Sequence, residues 1–81
     1  MAKSLHTPEY EQFRSLLIAA REKRGFTQAN VAERLARPQS FVSKYESGER
    51  RLDVVEFLEV CRALETDLKA IIRKLEAELS A

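Results

Sequence analysis

Four polar side chains that can form hydrogen bonds lie close together near the middle of this 81-residue chain. They are Gln39, Ser40, Ser43 and Lys44. In a helix over this segment, Phe41, Val42 and Tyr45 would point inward and the four polar side chains would point outward. Such an outer face suits the major groove of DNA, where base edges display donors and acceptors. The alternative is an ordinary solvated helix face.

Charge is balanced over the whole chain but is unevenly distributed along it. The chain has 14 basic and 13 acidic residues, so its formal net charge is +1. Residues 34–51 contain five basic and two acidic residues, whereas residues 52–68 contain one basic and five acidic residues. We expect the first segment to be able to face phosphates and the second to repel them. The alternative is that all of these charges are simply solvated.

Several other kinds of chemistry are not indicated by the sequence. The one cysteine, Cys61, excludes a disulfide within the chain and a multi-thiolate metal site, and the one histidine, His6, excludes a histidine metal cluster. There is no nucleophile paired with a base and no glycine-rich phosphate loop, so we expect no enzyme activity, no metal and no cofactor. No apolar run reaches the roughly 20 residues of a membrane span, and no secretory segment is evident, so we expect a cytoplasmic protein.

The elements that position the polar residues are predicted to be five helices, with no strands. The two glycines and two prolines divide the helices. Residues 1–6 are predicted to form a flexible tail and residues 7–81 a single domain. The predicted helices run from Pro8 to Arg24, from Gln28 to about Leu35, from Pro38 or Gln39 to about Glu46, from about Asp53 to Leu64, and from about residue 66 to residue 80.

The apolar spacing predicts which face of each helix is buried. On the fourth helix the expected stripe is Val54, Phe57, Leu58, Cys61 and Leu64. On the fifth helix it is Leu68, Ile71, Ile72, Leu75 and Leu79, which is longer than the preceding helices can easily cover. The second and third helices are too short to be stable alone. Their short connection predicts a steep crossing, as in a helix-turn-helix unit.

Residues 20–68 resemble the helix-turn-helix domain of the phage repressor and Cro-type regulators, known as the XRE family. The matching blocks are Arg21–Gln28, Val31–Leu35, Gln39–Arg51 and Phe57–Leu64. The resemblance implies an all-α, lambda-repressor-like domain that binds an operator in double-stranded DNA and regulates transcription. The chain departs from the family pattern at the turn, where Ala36 replaces the usual glycine and Pro38 replaces a small capping residue.

The resemblance also implies roles for individual residues. Base contacts are implied for Gln39, Ser40 and Lys44, with Ser43 beside them. Phosphate contacts are implied for Gln28, Ser47, Arg50 and Arg51, and Arg37 is a further candidate. Arg21 and Glu46 are implied to form an internal ion pair between the first and third helices.

Similar proteins dimerise through the region of the fifth helix, so we expect a homodimeric repressor that reads an inverted repeat. The predicted dimer contacts are Ile72, Leu75 and Leu79. The alternative is that Leu75 and Leu79 fold back onto Phe13 or Leu17 of the same chain. A second functional hypothesis is a protein-interaction adaptor, or an antitoxin-type protein that binds a partner protein with the same fold.

Overall fold

Five α-helices and no strand are found in the computed structural model, which describes residues 7–80. The helices are α1 (Pro8–Arg24), α2 (Gln28–Leu35), α3 (Gln39–Ser47), α4 (Val54–Ala63) and α5 (Leu68–Ser80). The all-α, five-helix prediction is therefore confirmed. The tail predicted at residues 1–6 lies outside the described residues. No helix between residues 7 and 80 is long and apolar enough to span a membrane.

Side-chain caps explain where three of the helices begin. The hydroxyl oxygen of Thr7 accepts a hydrogen bond from the backbone N–H of Tyr10 at 3.1 Å, and proline occupies the first turn of α1. Thr27 before α2 and Asp53 before α4 each form a reciprocal capping box with the residue three positions later. These caps satisfy backbone N–H groups that have no partner within a helix.

The turn between α2 and α3 contains a strained residue. Ala36 ends α2 in the left-handed conformation, with φ 57° and ψ 42°. Its N–H donates to the carbonyl of Glu33 at 3.0 Å, and the N–H of Arg37 donates to the carbonyl of Ala32 at 3.0 Å. An L-residue with a Cβ adopts this conformation at a cost of about 1–2 kcal/mol. The departure from glycine therefore strains the turn without preventing it.

The core lies where α2, α3 and α4 meet the middle of α1. Its fully buried side chains are Leu17, Val31, Val42, Tyr45, Val60 and Leu64. The three apolar side chains of α3 that were expected to point inward are buried, as is Cys61. Burial raises the pKa of the Cys61 thiol to about 11, so this cysteine is a core residue with little thiolate character.

The buried face of α4 differs from the predicted one. Val54 is 74% exposed and Leu58 is 42% exposed, whereas Val60 is fully buried. The sequence offers two overlapping stripes, because Phe57, Val60, Cys61 and Leu64 also follow the i, i+3, i+4, i+7 spacing. Packing of α2 against α4 selects the stripe that contains Val60. The prediction was therefore wrong for Val54 and Leu58.

Helix α5 packs along α1. Ile71 is buried and Leu75 is half-buried, while Ile72 and Leu79 are exposed. Leu75 and Leu79 line a groove together with Tyr10 and Phe13 of α1. For Leu75 this corresponds to the alternative in which α5 folds back onto the same chain. Of the three predicted dimer contacts, Ile72 and Leu79 remain as exposed apolar side chains.

Candidate nucleic-acid interface

Helix α3 presents a polar outer face above a buried inner face. Its outer face, as the term is used below, consists of Gln39, Ser40, Ser43 and Lys44, and all four residues are exposed. Among residues 7–80, their side chains have no hydrogen-bond or ion-pair partner. Their hydrogen-bonding groups are therefore free for an external partner, and the inner face fixes the orientation of the helix.

A buried ion pair holds the C-terminal end of α3 against α1. Arg21 donates from Nε to Oε2 of Glu46 at 2.6 Å and from Nη2 to Oε1 at 3.0 Å. The hydrogen bonds from Arg21 satisfy the carboxylate of Glu46, which is buried, and Glu46 raises the pKa of the Arg21 guanidinium. Such bidentate pairing is what a buried carboxylate requires. Arg21 and Glu46 thus form the ion pair that the family resemblance implied.

Gln28 belongs to the same buried cluster. Its side-chain amide donates from Nε2 to Oε1 of Glu46 at 2.9 Å, so this donor is used inside the protein. The family resemblance instead implied a phosphate contact for Gln28, which stays a prediction. An anion at the start of α2 would be bound mainly by the exposed backbone N–H groups of the first turn.

Two of the predicted phosphate ligands are paired with acidic residues of α4. Arg50 donates from Nη1 to Oε1 of Glu56 at 3.0 Å and from Nη2 to Oε2 at 2.6 Å. Arg37 lies 3.5 Å from Glu59 and 3.9 Å from Glu56. Hydrogen bonds from Arg50, and then from the N–H of Asp53, lower the pKa of Glu56 to about 2. Glu56 therefore stays ionised at neutral pH.

The same two arginines also lie against the ring of Phe41. The guanidinium carbon of Arg37 is 4.4 Å from the ring centroid and that of Arg50 is 4.8 Å from it. Cations at these distances are attracted to the face of an aromatic ring. The ring and the two carboxylates therefore hold both guanidinium groups beside the first turn of α3.

Lys44 and Arg51 are the cations of the segment 34–51 that have no ion pair among residues 7–80. Arg51 is exposed and its guanidinium carbon lies 4.3 Å from the ring centroid of Tyr10. The hydroxyl of Ser47 is also exposed, and it donates to the carbonyl of Lys44 at 3.1 Å. These three residues present polar groups on the side of α3 that continues into the α3–α4 connection.

The basic segment and the acidic segment of the sequence pair with each other. Arg37 and Arg50 face Glu56 and Glu59, and Arg34 forms an ion pair with Glu65. This pairing engages part of the positive charge of the basic segment inside the protein, and the expected contact of that segment with phosphates stays a prediction. Glu56 and Glu59 were not expected as partners of these arginines. The spacing of Asp53 and Glu56 indicates a capping box, which accounts for the bond of Glu56 to the N–H of Asp53 but not for its contacts with Arg50.

The described part of the chain groups no three histidine, cysteine or acidic residues in a way that could hold a metal ion. Its chemistry is instead that of hydrogen-bond donors and acceptors on α3, with cations at both ends of that helix. This arrangement can contact the base edges and the phosphates of a duplex.

Comparisons with known proteins agree with this geometry. The family model described as "Helix-turn-helix domain" matches residues 12–71. An XRE-family like protein from Pseudomonas syringae pv. tomato str. DC3000 is 53% identical over 86% of this chain and 85% of that chain, with a TM-score of 0.83. The wild-type restriction-modification controller protein C.Esp1396I is 17% identical over 94% of this chain and 100% of that chain, with a TM-score of 0.82.

A third solved structure, the clp gene regulator ClgR from C. glutamicum, is 19% identical over 90% of this chain and 95% of that chain, with a TM-score of 0.77. A search of curated proteins found no match. The similarity to the controller protein and to ClgR, at under 20% identity, concerns the fold alone. The family model and the 53% identical protein are also similar to this chain in sequence. The chain belongs to the XRE family of helix-turn-helix proteins, and it is a DNA-binding transcriptional regulator.

Proposed function

We propose that the chain is a homodimeric repressor that binds an inverted-repeat operator and inserts α3 into the major groove. The observation that carries this proposal is the outer face of α3, which has four exposed polar side chains without partners among the described residues. A helix that enters the groove needs such free donors and acceptors, since each base pair displays a distinct pattern there. The protein would act in the cytoplasm, on operator DNA there.

Within this proposal, the residues of the outer face have different tasks. Gln39 and Ser40 lie in the first turn of α3, where side chains of a recognition helix approach base edges. Ser43 and Lys44 lie one turn later, and a lysine there can donate to O6 or N7 of guanine. Arg51 and Ser47 would bind the DNA backbone, because Arg51 has no carboxylate partner and both residues are exposed.

A homodimer would place two such helices about 34 Å apart on one side of a duplex. The exposed apolar side chains Ile72 and Leu79 of α5 support this part of the proposal, since exposed apolar groups on a small domain often mark an interface. The exposed residues Val54, Val55 and Leu58 of α4 form a second apolar face. We propose α5 as the main contact, because its exposed apolar residues lie two turns apart along one helix.

The direct test is selection of bound sites from random duplexes, followed by binding measurements on variants. Gln39→Ala should relax sequence preference and cost about 1–3 kcal/mol of binding free energy for a lost base contact. Arg51→Ala should weaken binding to every sequence. The slope of the logarithm of the binding constant against the logarithm of the salt concentration should become less steep by about 0.9, the value for one lost phosphate contact. Arg73→Ala is the matched control, since Arg73 is exposed on α5 and has no ion pair among residues 7–80.

Failure to select any common sequence would contradict the proposed function. So would wild-type affinity and preference in both Gln39→Ala and Arg51→Ala at the same salt concentration. The spacing of half-sites in the selected sequences provides a separate measure of the dimer, because a monomer would select only one half-site.

A further inference from the structure

Arg37 is held much more loosely than Arg50. Its guanidinium nitrogens lie 3.5 and 3.9 Å from carboxylate oxygens, whereas Arg50 contacts Glu56 at 2.6 and 3.0 Å. Hydrogen-bonded ion pairs have distances of about 2.7–2.9 Å, so Arg37 has electrostatic contacts without a close hydrogen bond. The side chain of Arg37 is 37% exposed and that of Glu59 is 51% exposed. This pair is therefore open to solvent and can be exchanged.

Glu56 has three closer donors than Arg37, which lies 3.9 Å from its Oε2. Oε1 accepts from Arg50 and from the backbone N–H of Asp53 at 3.0 Å, and Oε2 accepts from Arg50. Glu56 is therefore committed to Arg50 and to the start of α4. Glu59 is the nearer carboxylate to Arg37, at 3.5 Å, and it acts together with the ring of Phe41 to direct Arg37 towards α4.

The surroundings of Arg37 leave room for its side chain to move. It lines an open cleft of about 550 Å³ between α2 and α4, together with Arg34, Leu35, Glu59, Arg62 and Ala63. The residue itself lies two positions before Gln39, the first residue of α3. A rotation away from Glu59 would thus bring the guanidinium towards the start of α3, and it would uncover part of the Phe41 ring, over which Arg37 lies at 4.4 Å.

We propose that Glu59 limits the affinity of the protein for DNA by holding Arg37 in the free state, and that a backbone phosphate replaces the carboxylate in the complex. This inference rests on the proposed function, because it requires DNA at the outer face of α3. Phosphate oxygens offer a guanidinium the same bidentate geometry as a carboxylate, so the exchange conserves hydrogen-bonding geometry. Glu59 then becomes solvated, as its exposure allows.

The test compares Glu59→Gln with wild type on the selected operator and on an unrelated duplex, over a range of salt concentrations. Loss of the competing carboxylate should tighten binding to both duplexes by up to about fivefold, the scale of an exposed ion pair. The slope of the logarithm of the binding constant against the logarithm of the salt concentration should become steeper by up to about 0.9, the value for one added phosphate contact. Glu22→Gln is the matched control, because Glu22 is exposed on α1, away from the proposed dimer contact, and has no ion pair among residues 7–80.

The double variant Arg37→Ala, Glu59→Gln separates this mechanism from a general change in net charge. The inference predicts that Arg37→Ala abolishes the gain produced by Glu59→Gln. A gain that persists without Arg37, or a Glu59→Gln protein that binds no more tightly than Glu22→Gln, would overturn the inference while leaving the proposed function intact. A wild-type protein that binds no duplex would overturn both.

Discussion

The residue that ends α2 shows how one substitution in a short turn changes stability. Ala36 has a φ of 57°, a region in which a Cβ is unfavourable and glycine is not. Its exposed position means that no core contact compensates for the strain. The turn instead relies on the two backbone hydrogen bonds that close it.

Ala36→Gly should therefore stabilise the protein. The expected gain is roughly 0.5–1 kcal/mol in the free energy of unfolding, because relief of strain exceeds the added entropy of glycine in the unfolded chain. Thermal unfolding should then shift upwards by a few degrees, since about 1 kcal/mol corresponds to about 4–8 °C for a domain of this size. Ala29→Gly, in the helical part of α2, should instead lower the midpoint, and equal effects of the two substitutions would contradict this account.

Single residues also show how far the sequence alone could predict the site. The outer face of α3 followed from helical periodicity, because a short helix with three apolar residues on one side exposes the rest. The ion pairs of Arg37 and Arg50 could not be predicted in this way, since their acidic partners lie on another helix. Side-chain pairing across elements depends on tertiary packing, which local spacing does not encode. The roles of these residues towards DNA remain predictions.

At the scale of elements, one carboxylate joins the connection between α3 and α4 to the start of α4. Glu56 accepts two hydrogen bonds from Arg50 and one from the N–H of Asp53, so it joins the loop to the first turn of α4. These contacts lower its pKa from the ordinary value of 4.5 to about 2. The carboxylate therefore binds a proton more readily in the unfolded chain than in the folded one.

This difference predicts the direction of the pH dependence. The stabilising contribution of Glu56 is complete above about pH 4.5, the ordinary pKa, and is lost as the pH falls towards 2. Glu56→Gln keeps a residue suitable for the capping box but removes the titrating group. Its free energy of unfolding in urea should be lower than that of wild type at pH 7, and the difference should shrink between pH 4.5 and pH 2.

Glu76→Gln provides the comparison, because it removes one exposed carboxylate that has no ion pair among the described residues. It should retain the wild-type decrease in stability over the same pH range. A Glu56→Gln protein that is as stable as wild type at pH 7, or one whose deficit persists unchanged at pH 2, would show that the contacts of Glu56 contribute little.

The predicted helices were confirmed because residues at their ends, which the sequence shows directly, determine where they begin and stop. Thr7, Thr27 and Asp53 cap the starts of α1, α2 and α4, and Gly25 and Gly48 follow the ends of α1 and α3. The buried face of α4 could not be predicted with the same security. Both Leu58 and Val60 are apolar, and only the position of α2 decides which of them enters the core.

At the scale of the whole molecule, the exposed residues of α5 bear on assembly. Helix α5 packs on α1 through its buried residue Ile71, yet Ile72 and Leu79 remain exposed on the same helix. Seven residues separate these two side chains, which corresponds to about 10.5 Å along the helix axis. A second copy of α5 could cover both, as expected for a two-fold symmetric contact.

The expected result is that the protein sediments as a dimer at micromolar concentration and that Ile72→Lys shifts it to a monomer. The added charge would be desolvated at the contact, which is unfavourable without a partner. Ala77→Lys is the control, since Ala77 is exposed on the opposite face of α5. Monomeric wild-type protein, or equal effects of the two substitutions, would contradict a dimer through α5. Val54→Lys tests whether α4 takes part.

The pairing of basic with acidic side chains also affects how the protein would find one specific binding site in a genome. Chromosomal DNA offers about 10⁶–10⁹ competing sites, and residence at those sites is governed largely by the number of available cations. Arg34, Arg37 and Arg50 form ion pairs within the protein, so fewer cations are available to phosphates. The protein would therefore stay only briefly on DNA of unrelated sequence. Short dwell times of this kind shorten the search and leave discrimination to the few side chains that meet the bases.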